Sequence, residues 1–184
     1  DIMNFNVTKI LIVFLLMLSF VSCLKPVKYP NEPIIEYVSF DQLDSSSAKL
    51  TFSFTDGDGD IGLEQEDVYP PYDSGSFYHY NVYINYFEMM DGEWVRGKSN
   101  PPYYNNLDNN SSNDTISFKF RLKNITPNGQ NKALKGNVEL TIEPQFFNPN
   151  SVDNNDTIMY KVLLLDRSLN HSNLISTPPI VRDL

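Results

Sequence analysis

The chain reads DGDGDIG at residues 56–62, setting carboxylates at Asp56, Asp58 and Asp60. Carboxylates at alternate positions repel one another unless a cation lies between them. The intervening glycines let the backbone turn tightly enough for their oxygens to converge on one ion. Oxygen donors without His or Cys suit calcium or magnesium rather than zinc or iron. Calcium is the expected cofactor, with an acidic solvated turn as the alternative. Asp67, later in the same acidic segment, and Asp166, near the C-terminus, complete the candidate ligand set of Asp56, Asp58, Asp60, Asp67 and Asp166.

Other chemistries find little support. The two histidines are His79 and His171, and no Ser or Cys motif stands where it could use either. There is no G-x-S-x-G, no Gly-rich phosphate loop and no H-E-x-x-H. Carboxylate pairs such as Glu88 and Glu93 could be picked from any acidic chain and carry no weight as sugar-hydrolysing groups. The expectation is a protein that is not an enzyme. A net charge of −9 without a basic stripe argues against nucleic acid as a partner. Tyr72, Tyr103 and Tyr104, in Pro-, Gly- and Asn-rich surroundings, are candidate ligand-binding residues, because tyrosine rings stack on the apolar faces of sugars.

These residues need a scaffold, and the chain predicts an all-β one. Ala48, Leu50, Phe52 and Phe54 alternate with polar residues, as do Ile116, Phe118, Phe120 and Leu122, and Val138, Leu140 and Ile142. Further strands are expected at 34–40, 77–89, 93–96, 158–165 and 174–177. Along 77–89 the pattern assigns Tyr78, Tyr80, Val82, Ile84 and Tyr86 to the core and Phe77, His79, Tyr83 and Phe87 to the opposite face. Asp91-Gly92 between two such runs signals a hairpin. The expected architecture is a single immunoglobulin-like β-sandwich of seven to eight strands over residues 33–184, with two long loops at 56–76 and 97–114. In such a sandwich the loops after the second strand and before the last lie at one end, which would bring Asp166 towards Asp56, Asp58 and Asp60. Counting eight strands reverses that parity unless the 97–114 loop crosses the full height of the sandwich.

Residues 1–22 set the expected address. Met3 is the expected start of translation, Lys9 the only charge between it and an uncharged run at 10–21, and that run is too short to span a bilayer comfortably. It ends in LSFVSC at 18–23, which resembles a bacterial lipoprotein signal: Ser22 and Val21 fit the lipobox, while Phe20 stands where leucine is usual. The resemblance implies removal of residues 1–22 and lipidation of Cys23, the only cysteine, so that no free thiol remains. Two or more acyl chains give stable membrane anchoring. Residues 23–32, with Pro26 and Pro30, read as an extended tether. In the Bacteroidota-type lipoproteins that this signal resembles, an acidic run after the cysteine marks export to the cell surface; none follows Cys23, so the resemblance implies the periplasmic face of the outer membrane.

Two more resemblances concern the domain. YKVLLLDRSLNHSN at 160–173 resembles the closing hairpin of bacterial Ig-like and fibronectin-type modules, where the strand ends in Asp-x-Ala-Gly-Asn-x-Ser. Asp166, Asn170 and Ser172 match it, and Ser168 and Leu169 replace the alanine and glycine. FTDGDGDIGL at 54–63, LTFSF before it and ALKGNVELTI at 133–142 are, with this hairpin, similar to uncharacterised Bacteroidota envelope lipoproteins. DGDGDIG is not an EF-hand loop, since Ile61 and Asp67 stand where Gly and Glu are required and strands flank it. It is closer to the calcium loops of β-proteins. Together these readings point to a calcium-stabilised, lipid-anchored module that binds an envelope protein or serves as a complex subunit, with glycan binding through the Tyr-rich loops as the alternative.

Overall fold

The computed structural model describes residue 9 and residues 28–44, 47–98, 115–142 and 157–181. Cys23 and residues 1–22 apart from Lys9, together with Tyr103 and Tyr104, lie outside the described residues. Among the described residues, no helix is long and apolar enough to cross a membrane.

The described strands are β1 (Ile34–Gln42), β2 (Ala48–Asp56), β3 (Val82–Met90), β4 (Glu93–Arg96), β5 (Ser117–Phe120), β6 (Leu134–Ile142), β7 (Thr157–Leu164), β8 (Ile175–Ser176) and β9 (Ile180–Val181). They form two antiparallel sheets. One has the order β1-β2-β6; the other has the order β4-β3-β7-β8, with β5 also on β3 and β9 also on β7. This is the all-β sandwich that the alternation predicts. Its core lies between Leu50, Phe52, Phe54, Leu140 and Ile142 on one sheet and Val82, Ile84, Tyr86, Ile158, Tyr160, Val162 and Leu164 on the other. Each such side chain, fully buried, stabilises the fold by about 1.5–3 kcal/mol relative to exposure. Asn173 ties β1 to the chain after β7, accepting from the Ile35 N–H at 2.8 Å and donating to its carbonyl at 2.9 Å.

Three local outcomes bear on function. First, β4 and β5 lie along the same β3: β4 pairs with Phe87 to Met90, and β5 with Val82 to Asn85. They are two halves of one edge strand, bridged at Lys98 and Thr115 where the chain leaves and returns. The parity problem therefore dissolves, because the second long loop interrupts a strand instead of adding one. Second, the Asp91-Gly92 hairpin forms with both residues at positive φ (50° and 85°), as its tight turn requires.

Third, the expected strand at 77–89 starts late. Ser76 Oγ accepts the Tyr78 N–H and starts a 3-10 turn at Phe77–His79. Asn81 then clamps Leu122, accepting its N–H at 2.6 Å and donating to its carbonyl at 3.4 Å, so regular pairing begins at Val82. Val82, Ile84 and Tyr86 face the core as expected, while Tyr78 and Tyr80 fall before the strand and are half-buried.

Candidate metal centre

The alternation of β2 carries through to its last residue. Leu50, Phe52 and Phe54 point inward, and Asp56 follows on the same face, fully buried at the rim of the core. The chain then turns sharply, and the Gly57 N–H donates to the Pro30 carbonyl at 2.7 Å. Gly59 has φ +67° and Gly62 φ +93°, and a Cβ on either would collide with the backbone carbonyl of Lys132 or Lys123 respectively. The turn folds Asp58 and Asp60 back towards Asp56, and one oxygen from each of the three carboxylates comes within 4.8 Å of the others. Carboxylate oxygens this close together can hold one metal ion between them.

The hydrogen bonds sharpen the point. Asp56 Oδ2 accepts the Asp60 N–H at 3.1 Å, and Asp60 Oδ2 accepts from Ser168 N–H at 2.9 Å and Ser168 Oγ at 2.7 Å. Yet Oδ1 of Asp56, of Asp58 and of Asp60 is buried without any hydrogen-bond partner. An unpaired buried carboxylate oxygen is costly, and three in one place are an arrangement that a cation satisfies. Burial, followed by the nearby Asp58, Asp60 and Asp166, pushes the Asp56 carboxyl up to about 7.

The loops converge as expected. Ile61 and Asp166 form an antiparallel bridge, the Arg167 N–H donates to the Asp60 carbonyl at 3.2 Å, and the Ile125 N–H donates to the Ile61 carbonyl at 3.2 Å. Asp166 is buried beside the cluster, and burial raises its pKa, with Asp60 and Asp58 adding to the effect. Both of its oxygens are engaged by Asn170, accepting from the backbone N–H at 2.7 Å and the side-chain amide at 2.8 Å. It therefore holds the turn and contributes negative charge from outside the group of three. Asp67 also stands outside that group: its carboxylate accepts the Glu64 N–H at 2.7 Å and closes a local turn.

In the turn after β7, Leu169 adopts φ +69°, a left-handed conformation that strains a leucine. Tyr72 lies half-buried against this turn, its hydroxyl donating to the Arg167 carbonyl. Burial, with Asp67 as the next contributor, pushes its phenol up. Sequence reasoning missed Ser168, whose two bonds to Asp60 join the acidic loop to the terminal turn.

His79 Nδ1 lies 2.9 Å from the Tyr72 carbonyl, and His171 Nε2 lies 3.4 Å from the Tyr78 hydroxyl. No protein-family model matches the chain, and neither a curated protein nor a solved structure is detectably similar to it.

Proposed function

We propose that this chain is a non-enzymatic, lipid-anchored binding module of the bacterial outer membrane, facing the periplasm, whose loop end is fixed by one calcium ion. The observation that carries the calcium reading is the trio of buried, unpartnered oxygens on Asp56, Asp58 and Asp60. Asp56 is the decisive member, since it is fully buried at the end of a core strand. The ion would tie the loop after β2 to the turn after β7 through Asp60 and Ser168, leaving the remaining coordination positions to water. The anchor reading rests on LSFVSC and the single cysteine.

Titration calorimetry tests the site. The chelator-stripped chain is expected to take up one calcium ion at pH 8, and Asp58→Asn to weaken that uptake strongly. The sign of the pH dependence follows from Asp56. Its folded carboxyl, at about 7 against an ordinary 3.8, holds a proton that the unfolded chain releases. This group's contribution to the metal-free fold is thus complete below about pH 4 and is lost as the pH rises through 7. Calcium competes with that same proton. Affinity should weaken at least tenfold between pH 8 and pH 5.5, with proton release on binding near neutrality. Affinity independent of pH would show that Asp56 is not a ligand.

For the anchor, Cys23→Ser is expected to abolish metabolic fatty-acid labelling and to leave the precursor uncleaved. Undiminished labelling of that variant would refute lipidation at Cys23.

A further inference from the structure

The half of the molecule next to the metal centre carries an aromatic assembly that the metal does not explain. Phe77 is 47% exposed, and its ring stacks on that of Tyr83 with centroids 4.6 Å apart and planes at 11°. Tyr83 is buried on the outer face of β3, and its hydroxyl donates to the Phe77 carbonyl. Tyr78 meets Phe77 edge-on at 5.5 Å, and the His171 ring stands 5.7 Å from it. Tyr78 Oη and His171 Nε2 are 3.4 Å apart, and Lys119 Nζ lies 5.8 Å from the ring centres of both Tyr80 and Tyr83. One face of Phe77 is thus occupied by Tyr83, and nearly half of the residue stays open to solvent beside Tyr78 and His171, whose polar atoms can donate and accept hydrogen bonds.

We propose that Phe77, flanked by Tyr78 and His171, is the stacking platform of an oligosaccharide-binding site. The C–H face of a pyranose is apolar and packs on the electron-rich face of an aromatic ring, while its equatorial hydroxyls need polar partners around the rim. Phe77 supplies the first and its neighbours the second. The platform is also preorganised, because the Ser76 cap and the Tyr83 bond fix the turn that carries the ring, so little ordering cost falls on binding. A peptide strand is the less suitable occupant. β3 is an interior strand, paired with β4 and β5 on one side and β7 on the other, and offers no free edge beside the platform. The inference rests on the binding-module reading, and it names a glycan where the sequence favoured a protein, at residues other than Tyr103 and Tyr104.

The test is saturation-transfer NMR and titration of the calcium-loaded chain with maltohexaose, cellohexaose, xylohexaose, mannohexaose and hexagalacturonate. At least one is expected to bind saturably, with Phe77→Ala weakening it about tenfold and Phe77→Tyr restoring it, while calcium uptake stays unchanged in both variants. The platform is overturned if none of the five binds, if Phe77→Ala binds as tightly as the parent, or if in-cell cross-linking from position 77 captures only protein. A chain that binds calcium but no hexaose loses the platform and keeps the metal centre. One that binds a hexaose through Phe77 but takes up no calcium does the reverse.

Discussion

Calcium added to chelator-stripped protein is expected to raise its melting temperature by about 5 to 10 °C, and magnesium by less. A cation that binds the folded loop and not the unfolded chain stabilises by mass action, about 2.7 kcal/mol at a hundredfold excess over its dissociation constant. At roughly 2–4 °C per kcal/mol for a domain of this size, that gives the stated rise. Three carboxylates within 4.8 Å supply the attraction, and the burial of their free oxygens supplies the selectivity for the folded state. Magnesium holds its water in a small octahedron and gains less from such a site. Asp58→Asn should remove most of the calcium increment while leaving the metal-free melting temperature equal or higher, because one repelling charge is gone. Asp166→Asn should weaken calcium more modestly, since its oxygens are engaged by Asn170 and it acts through charge. Differential scanning calorimetry of the parent and both variants, with and without chelator, reads all of this. A transition indifferent to calcium and to chelator would return the loop to an acidic turn.

How far the sequence could go is visible in β2. Alternation through Leu50, Phe52 and Phe54 marks the inward face, and extending it by one step places Asp56 inside. A charged residue at an inward position is the strongest sign of the site, and it is legible from local pattern alone. The convergence of residue 166 with residue 60 was also legible, because sandwich topology puts those loops at one end. The roles of Asp67 and Asp166 were not, since an aspartate that caps a turn and one that ligates a metal share a composition and differ only in what their oxygens meet. Nor was the late start of β3. The alternation through Tyr78 and Tyr80 suits a strand, but Ser76 and Asn81 compete for the backbone through side-chain hydrogen bonds, and that competition decides at residue 82. Alternation already sets Phe77 and Tyr83 on one outward face, but the 3-10 turn that stacks the two rings is invisible to a reading that keeps the strand continuous.

The glycines of the acidic loop give the other large effect. Gly59→Ala and Gly62→Ala are each expected to cost roughly 3 kcal/mol or more of stability. Of this, about 1–2 kcal/mol comes from forcing a side chain into positive φ and the remainder from collision with a fixed carbonyl. At Gly59 the added Cβ meets the Lys132 carbonyl, and at Gly62 the Lys123 carbonyl; both are backbone atoms that no rotamer change can clear. The Lys123 contact is further constrained, because the Leu63 N–H bonds the Leu122 carbonyl at 2.9 Å and the Asn124 N–H bonds the Leu63 carbonyl at 3.1 Å, which locks the two segments side by side. Relief would require separating them, and that would carry Asp60 away from Asp56 and lower calcium affinity as well. Gly75→Ala is the control: its nearest contact is an ordinary 3.6 Å from Asp73 Oδ2, and the change should be neutral or slightly stabilising by restricting the unfolded chain. Chemical denaturation in the presence of chelator separates the backbone cost from the loss of metal, since the chelated parent already lacks the ion. If Gly59→Ala and Gly62→Ala unfold at the same denaturant concentration as Gly75→Ala, the loop does not hold the tight turn on which the convergence of its carboxylates depends.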